Sequence, residues 1–172
     1  MSEKNIFYKG VINKKIGLSI VNIGDNLKNT IEKVISKEIE GKCVTEGYIK
    51  NNSVKVISYS GGLINEGNIF FDVVLECLIC YPVEGMIINC IVKNITKAGI
   101  KAETEDSPSP VIIFLAKEHH KNLKYFNTLE TNKIIQIKVI GQRYELNDNY
   151  ISIIGELVQE KKVKKKIKIA DT

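Results

Sequence analysis

Residues 69–99 read IFFDVVLECLICYPVEGMIINCIVKNITKAG, and this stretch decides the fold. Apolar side chains in its first half alternate at a period of two residues, which predicts a β-strand buried on one face and on much of the other. The first face carries Phe71, Val73, Leu75, Cys77, Ile79 and Tyr81, and the second carries Phe70, Val74, Leu78 and Cys80. At about 3.3 Å per residue the strand would span roughly 40 Å, whereas an ordinary strand has about 5–6 residues. We therefore expect one strand shared by two bodies, with Pro82, which lacks a backbone donor, at the junction.

The length and hydropathy of the chain favour a soluble protein of two small domains. Its 172 residues fit two halves of about 80 residues each. No apolar run approaches the ~20 uncharged residues of a membrane-spanning helix. The first ten residues, MSEKNIFYKG, lack the apolar region of a signal peptide, so we expect an intracellular protein.

The four cysteines do not form a disulfide or zinc pattern. Cys77 and Cys80 have the spacing of half a zinc site, but residues three apart on a strand point to opposite faces. We expect all four to be small buried hydrophobic side chains. No cofactor or metal is expected, because the adjacent His119 and His120 diverge in direction and have no cysteine at ligand spacing. The histidines are interpreted as solvated residues at a helix end.

Charge is unevenly distributed along the chain. Residues 1–82 carry ten lysines against nine acidic residues, and residues 83–160 carry nine basic residues against ten acidic ones. The net charge of +5 therefore resides in residues 161–172, KKVKKKIKIADT, which we expect to form a basic flexible tail.

The first half predicts a small α+β body of order β-α-β-β-β. One or two strands are expected in residues 5–23, followed by an amphipathic helix that is capped by Asp25 and ends at Gly41. Strands are then expected at residues 42–50 and 54–59. A flexible loop over residues 60–67 exposes Leu63 and Ile64 between glycines, and the long strand completes this body.

The second half predicts five strands and a short helix, which is the pattern of an OB barrel. The strands are expected at residues 86–95, 99–103, 111–115, 133–143 and 150–157, and the short helix at residues 116–121.

In this arrangement the chain resembles the seventh-subunit (stalk) family of archaeal and eukaryotic DNA-directed RNA polymerases. Glu40-Gly41-Lys42-Cys43 followed by Gly47-Tyr48 is similar to the family's EGxC…GY after the tip helix. The long strand with Pro82 and Gly85 is similar to its junction. In the barrel the matching stretches are residues 92–100 (VKNITKAGI), 113–117 (IFLAK), 140–143 (IGQR) and 153–155 (IIG). The resemblance covers residues 5–158.

The resemblance implies a non-catalytic subunit with a tip domain (residues 1–82), an OB domain (residues 83–160) and the added tail. It implies that the tip docks on the polymerase core near the clamp, through Gly41, Lys42 and Cys43 and through Gly61, Gly62, Leu63 and Ile64. A smaller helical stalk subunit would pack along the joint between the domains. The location would be that of the transcription machinery. Because the chain is rich in Ile, Lys and Asn, a large DNA virus or another AT-rich genome is favoured as the source. A viral protein would lie in the viral factory or virion, and a cellular eukaryotic one would be nuclear.

Contact with nascent single-stranded RNA is the expected chemistry of the barrel, because OB barrels hold bases on a curved face with basic and aromatic side chains. The candidates are Lys93, Lys97, Lys101, Phe114, Lys117, His119 and Arg143. Affinity should be weak, since the barrel half has no positive net charge to attract RNA. The chain lacks the GxGxxG, GxxxxGK and GxSxG motifs of common enzymes. Two alternatives remain open: a free-standing RNA-binding OB protein in translation or RNA handling, and a scaffold whose barrel binds protein.

Overall fold

The computed structural model describes residues 5–159, so the predicted basic tail lies outside the described residues. Among the described residues, the helices are too short or too polar to cross a lipid bilayer.

Residues 7–80 form one helix packed on a six-stranded sheet, which we call the N-terminal sheet. Its elements are β1 (Phe7–Ser19), α1 (Leu27–Ile39), β2 (Cys43–Val44), β3 (Gly47–Ile49), β4 (Lys55–Tyr59), β5 (Leu63–Asn65) and β6 (Asn68–Cys80). The order is β1-β6-β3-β2, with β4 and β5 also paired to β6. The predicted long strand is β6, and all of its 13 residues pair with β1, from Phe7 opposite Cys80 to Ser19 opposite Asn68.

The helix packs on the sheet through a stripe of isoleucines. Ile31, Ile35 and Ile39 recur every four residues and are buried. They contact a core formed by the inner faces of β1 and β6, which includes Phe71 and Leu75. Asn26, not the predicted Asp25, precedes the helix, and neither the Asn26 side chain nor an acidic residue caps the first turn.

Two local predictions for the N-terminal sheet are wrong. The expected single strand over residues 42–50 is a hairpin of β2 and β3 that turns at Thr45 and Glu46. The expected flexible loop around Leu63 and Ile64 is the strand β5, because β6 begins early enough to pair with it at Asn68. The second face of β6 is also more open than predicted, since only Cys80 is buried there.

Residues 87–157 form a closed five-stranded barrel. Its strands are β7 (Ile87–Ile95), β8 (Gly99–Glu103), β9 (Val111–Ala116), β10 (Ile134–Arg143) and β11 (Ile151–Leu157), in the order β10-β11-β9-β8-β7. Two 3₁₀ helices, Lys117–His120 and Lys124–Thr128, connect β9 to β10. Strand β11 runs parallel to β9, as the OB topology requires. The predicted fold class, an α+β body followed by an OB barrel, is confirmed.

The barrel and the N-terminal sheet meet in a shared core, which we call the joint. Phe7, Cys43, Tyr48 and Cys80 belong to the same buried cluster as the barrel interior. Backbone hydrogen bonds cross the joint in both directions: the Cys43 N–H donates to the Asp148 carbonyl (2.7 Å), and the Asn147 N–H donates to the Cys43 carbonyl (2.9 Å). The two bodies therefore share hydrogen bonds as well as apolar contacts.

The four cysteines are buried free thiols, as predicted. Burial raises the pKa of Cys43 and Cys77 to about 11 and that of Cys80 and Cys90 to about 12. Cys77 packs in the core under α1, whereas Cys80 packs in the joint, so their side chains serve different cores.

Candidate nucleic-acid interface and docking surface

A row of outward-facing side chains crosses four strands of the barrel. Lys101 on β8 lies opposite Phe114 on β9, and Phe114 lies opposite Ile154 on β11. Asn94 on β7 completes the row on the other side of Lys101. Phe114 is 39% exposed, so its ring is on the surface and outside the barrel core. The row therefore brings a cation next to an accessible aromatic ring. In single-strand-binding OB folds an aromatic ring stacks on a base and a nearby cation contacts the phosphate.

Arg143 lies near the end of this row, on β10, the strand that neighbours β11. It is paired with Ser152 on β11, two residues from Ile154, and its guanidinium is 3.4 Å from the Glu145 carboxylate. Lys101 likewise lies 3.4 Å from Glu103. Both ion pairs are exposed to solvent and contribute little to stability, so the two cations can exchange these partners for phosphate.

A second group of basic candidates lies at the β7–β8 turn. The Lys117 N–H donates to the Ala98 carbonyl (3.0 Å), which places the first 3₁₀ helix, with Lys117 and His119, beside Lys97. Gly99 is required here, because a Cβ on this residue would collide with the Leu115 carbonyl.

Lys93 is a further candidate in acidic surroundings. It lies in the β-bulge between Val92 and Asn94 and borders a groove of about 430 Å³ that also contains Glu103, Glu105 and Asp106. Nearby carboxylates repel phosphate, so they disfavour an RNA contact at Lys93.

His120 is buried, contrary to its interpretation as a solvated residue. The Leu157 N–H donates to Nε2 of His120 (2.9 Å), so the ring proton resides on Nδ1, which donates to the Ala116 carbonyl (2.6 Å). The imidazole also stacks on Phe126 at a centroid distance of 4.5 Å. His120 thus links the β9–β10 connection to the end of β11 through a hydrogen bond, whereas His119 is exposed. Among residues 5–159, His, Cys, Asp and Glu side chains form no cluster of three that could hold a metal ion.

The two sets of predicted docking residues lie at opposite ends of β6. Leu63 and Ile64 pair with the start of β6, whereas the β2–β3 hairpin that follows Gly41 and Lys42 pairs with its end. At about 3.3 Å per residue these sites are roughly 35 Å apart. The Cys43 side chain is buried in the joint and cannot contact another protein there. Gly41 adopts a φ of +71° and donates its N–H to the Ile49 carbonyl (2.9 Å), which is a structural role.

Leu63 and Ile64 are exposed at an end of the N-terminal sheet where two further apolar side chains are also exposed. These are Ile20 and Val21, which follow directly after β1. Ser19, the last residue of β1, pairs with Asn68 of β6, and Asn68 pairs on its other side with Asn65 of β5. Val21 is 90% exposed, Leu63 70% and Ile64 74%. We call these four residues the distal patch. The signal that could have revealed Ile20 and Val21 is an apolar pair that breaks the alternation of β1 just before Gly24.

Gly61 and Gly62 lead into the distal patch, and Gly62 lets the chain approach β6 closely. A Cβ at Gly62 would collide with the Ile69 side chain and press on the Phe71 ring, so only glycine fits. Gly61 has open space around its Cα.

Comparisons with known proteins support the polymerase-subunit alternative. No family model matches the chain. An Acanthamoeba polyphaga mimivirus protein named "Putative DNA-directed RNA polymerase subunit L376" is 25% identical over 92% of this chain and 85% of that protein. DNA-directed RNA polymerase II subunit 7 of Arabidopsis thaliana is 28% identical, and subunit RPB7 of Glycine max is 21% identical; both alignments cover 88% of this chain and 98% of the plant protein. The resemblance to the seventh-subunit family is confirmed.

The seventh-subunit resemblance extends over the N-terminal sheet and the barrel together. The plant alignments include nearly the whole of each relative, so neither body is matched alone. The viral relative agrees with the viral origin that the sequence composition favours. The described residues of this seventh-subunit-like chain present two surfaces. One is the barrel face with Lys101 and Phe114, and the other is the distal patch, which lies about the length of β6 away from the joint.

Proposed function

We propose that the chain is a non-catalytic stalk subunit of a multisubunit DNA-directed RNA polymerase. The observation that carries the proposal is the alignment with two plant seventh subunits over 88% of this chain and 98% of each relative, which includes both bodies and the joint. In this proposal the distal patch docks on the polymerase core near the clamp, and the barrel contacts nascent RNA at the exit channel. The chain would accordingly reside with the transcription machinery, in a viral factory or virion if it is viral.

The distal patch supports the docking step. Four apolar side chains from two separate segments are exposed at one end of the N-terminal sheet, and burying such a patch against another protein removes it from water. Gly41 and Lys42 bond to Ile49 within the N-terminal sheet and Cys43 is buried in the joint, so the docking contact is assigned to Gly61, Gly62, Leu63 and Ile64 together with Ile20 and Val21.

Purification of the tagged chain from the cells in which its polymerase assembles tests this step. The parent chain should recover the two largest polymerase subunits, and the double substitution Leu63→Asp with Ile64→Asp should abolish their recovery. Leu146→Asp is the matched control, because Leu146 is equally exposed but lies in the loop between β10 and β11. Recovery of ribosomal proteins in place of polymerase subunits would favour a free-standing RNA-binding protein and contradict the proposal.

The row of Lys101 and Phe114 supports the RNA contact. The surrounding charge is balanced, with 18 basic against 17 acidic side chains in residues 5–159, so the barrel attracts RNA only weakly from a distance. A weak contact is effective where the transcript is delivered at high local concentration, as at the mouth of an exit channel.

Crosslinking of a photoreactive transcript in a transcribing complex tests the RNA contact. Charge reversal at Lys93, Lys101 and Arg143 should reduce crosslinking to this subunit severalfold without affecting assembly. Reversal of Lys28, Lys33 and Lys37, which are exposed on α1, controls for the change in net charge. Unchanged crosslinking in the first variant would remove this face of the barrel from the RNA path.

A smaller helical stalk subunit is the proposed partner along the joint. The outer face of the N-terminal sheet supports this assignment, since exposed Val11 and half-buried Val74 and Leu78 lie there beside the Lys9–Glu76 ion pair (2.6 Å). The partner would cover these apolar groups. Co-expression followed by size-exclusion chromatography should yield a 1:1 complex, and a chain that elutes alone would contradict it.

A further inference from the structure

Three tyrosines lie together on the surface where the N-terminal sheet meets the barrel. Tyr8 pairs with Ile79 across β1 and β6, Tyr81 directly follows β6, and Tyr144 directly follows β10. The rings of Tyr81 and Tyr144 are nearly perpendicular, at 89°, with their centroids 6.4 Å apart. Tyr8 is 49% exposed and Tyr81 is 42% exposed. We call these three residues the tyrosine cluster; it combines side chains from both bodies and is open to solvent.

The tyrosine cluster lies in a negatively charged environment. Burial is the largest cause that raises the pKa of Tyr8 and of Tyr144. The Glu46 carboxylate is a further cause for both, so Glu46 lies within electrostatic reach of each ring. Among the described residues, no lysine or arginine counteracts either shift. The Tyr144 hydroxyl donates to the carbonyl of Thr45 (3.0 Å), which fixes the β2–β3 turn, and with it Glu46, beside the barrel.

We propose that the tyrosine cluster and Glu46 bind an arginine side chain of a protein partner. An aromatic ring attracts a cation through the negative potential over its face. A planar guanidinium can stack on an exposed ring while it donates hydrogen bonds to a carboxylate. Tyrosine and arginine are also among the residue types that dominate the binding energy of protein–protein contacts. The partner is therefore a protein segment that presents an arginine to this acidic and aromatic surface.

Single-stranded RNA is a less favoured ligand of the tyrosine cluster, because the Glu46 carboxylate repels phosphate. The nearest basic residue in the adjoining loop is Arg143, which is 3.4 Å from the Glu145 carboxylate. The Asp148 carboxylate lies in the same loop and accepts the Glu145 N–H (2.8 Å). Carboxylates therefore outnumber cations beside the rings, which is the charge balance that suits a basic protein segment.

The tyrosine cluster is separate from the surface assigned to the smaller stalk subunit. A Cβ at Gly10 would contact both the Tyr8 ring and Ile79, so Tyr8 lies on the face of β1 that packs toward α1. Val11 lies on the opposite face, because successive side chains of a strand alternate. A partner at the tyrosine cluster would thus leave the outer face of the N-terminal sheet and the distal patch free.

An NMR titration of the full chain with isotopically labelled tyrosine rings tests this proposal. The probe is the pentapeptide GRGRG, acetylated and amidated at its ends. The peptide should shift the ring resonances of Tyr8, Tyr81 and Tyr144. Tyr59 and Tyr125 are internal controls, because their rings are similarly exposed (39% and 41%) but lie elsewhere on the molecule. Their resonances should stay where they are.

Two variants should weaken the binding of the peptide. Tyr81→Leu removes a ring and Glu46→Gln removes the carboxylate, and each should raise the dissociation constant roughly threefold to tenfold. Tyr81→Phe keeps the ring and should bind like the parent chain. Glu105→Gln should also bind like the parent, because it removes an exposed carboxylate from the groove beside Lys93 instead. A peptide with citrulline in place of arginine carries no charge and should not bind.

Several results would overturn the proposal. These are the absence of any shift, equal shifts of all exposed tyrosine rings, and a Tyr81→Leu variant that binds as tightly as the parent. Competition by a short oligouridylate for the same three rings would overturn it in favour of RNA on this surface. Because the titration uses the isolated chain, its outcome is independent of the docking of the distal patch and of the RNA contact at Lys101, which are tested in the assembled complex.

Discussion

The two ends of strand β6 are built from similar residues but differ in what they contact. At its end, Cys80 pairs with Tyr48 inside the joint, where apolar side chains from the N-terminal sheet and the barrel form one core. At its start, Ile69 pairs with Ile64, whose side chain is exposed to solvent. The end of the strand at Cys80 therefore contributes to the buried core, whereas the start of the strand pairs with apolar side chains that remain exposed to solvent.

This difference shows why glycine-flanked apolar segments cannot be assigned a role from sequence alone. Residues 41–43 and residues 61–64 both combine glycine with apolar side chains, and both were predicted to dock. In the first segment Cys43 is fixed by hydrogen bonds to the barrel, whereas the second segment ends in a short exposed hairpin. Substitutions at the two ends should accordingly separate stability from binding.

The largest effect is expected at the joint. Tyr48→Ala removes a fully buried aromatic side chain from the shared core and should lower the free energy of unfolding by about 3–5 kcal/mol. Urea denaturation followed by circular dichroism measures this change. Tyr8→Ala is the control, because Tyr8 is 49% exposed and its loss should cost less than about 1 kcal/mol. Equal losses for both variants would mean that the joint does not contribute to stability.

A smaller effect is expected from the thiol at the joint. Burial, with lesser contributions from Asp106 and Cys43, raises the pKa of Cys80 from 9.0 to about 12. The unfolded thiol ionises first as the pH rises, so the unfolded state binds fewer protons than the folded state and stability falls above pH 9. Between pH 8 and pH 10 this one group should account for a loss on the order of 1 kcal/mol.

The variant Cys80→Ala isolates that contribution. It should start with lower stability at pH 8, because a buried side chain is truncated, but between pH 8 and pH 10 it should lose less stability than the parent chain, by on the order of 1 kcal/mol. Thermal unfolding at both pH values checks this. Parallel pH dependences for the two proteins would show that Cys80 does not remain protonated in the folded state.

The smallest effect on stability is expected at the distal patch. Leu63→Ser and Ile64→Ser replace side chains that are already in water, so the free energy of unfolding should change by less than about 0.5 kcal/mol. Urea denaturation of the double variant provides the measurement. A loss comparable to that of Tyr48→Ala would mean that these side chains pack on the N-terminal sheet, and the distal patch would no longer be a docking candidate.

Much of the architecture could be predicted because hydrophobic alternation is strong in both bodies. The period-two pattern of β6 gave its buried face, from Phe71 to Ile79, and the turn residues placed β8 at the observed Gly99–Glu103. The outward direction of Phe114 was not determined by the pattern, since the surrounding run of apolar residues is continuous. Its orientation follows from the register with Lys101 and Ile154, which only the folded barrel defines.

The remaining errors share a physical cause, which is contact between segments that are distant in sequence. His120 is buried because the 3₁₀ helix after β9 folds over the end of β11, 37 residues further along the chain. The β2–β3 hairpin forms because Gly47, at a φ of +136°, lets the backbone approach the Cys80 carbonyl, where a Cβ would collide. Neither contact leaves a periodic signal in the local sequence.

The paired hydrogen bonds between Cys43 and the loop of Asn147 and Asp148 also determine where the chain can be engineered. An insertion in that loop would have to break both bonds and would shift the barrel relative to the N-terminal sheet. A fluorophore attached at exposed Leu146, by contrast, would be carried by a segment anchored to both bodies. It would therefore report the tilt of the whole molecule rather than the local motion of a loop.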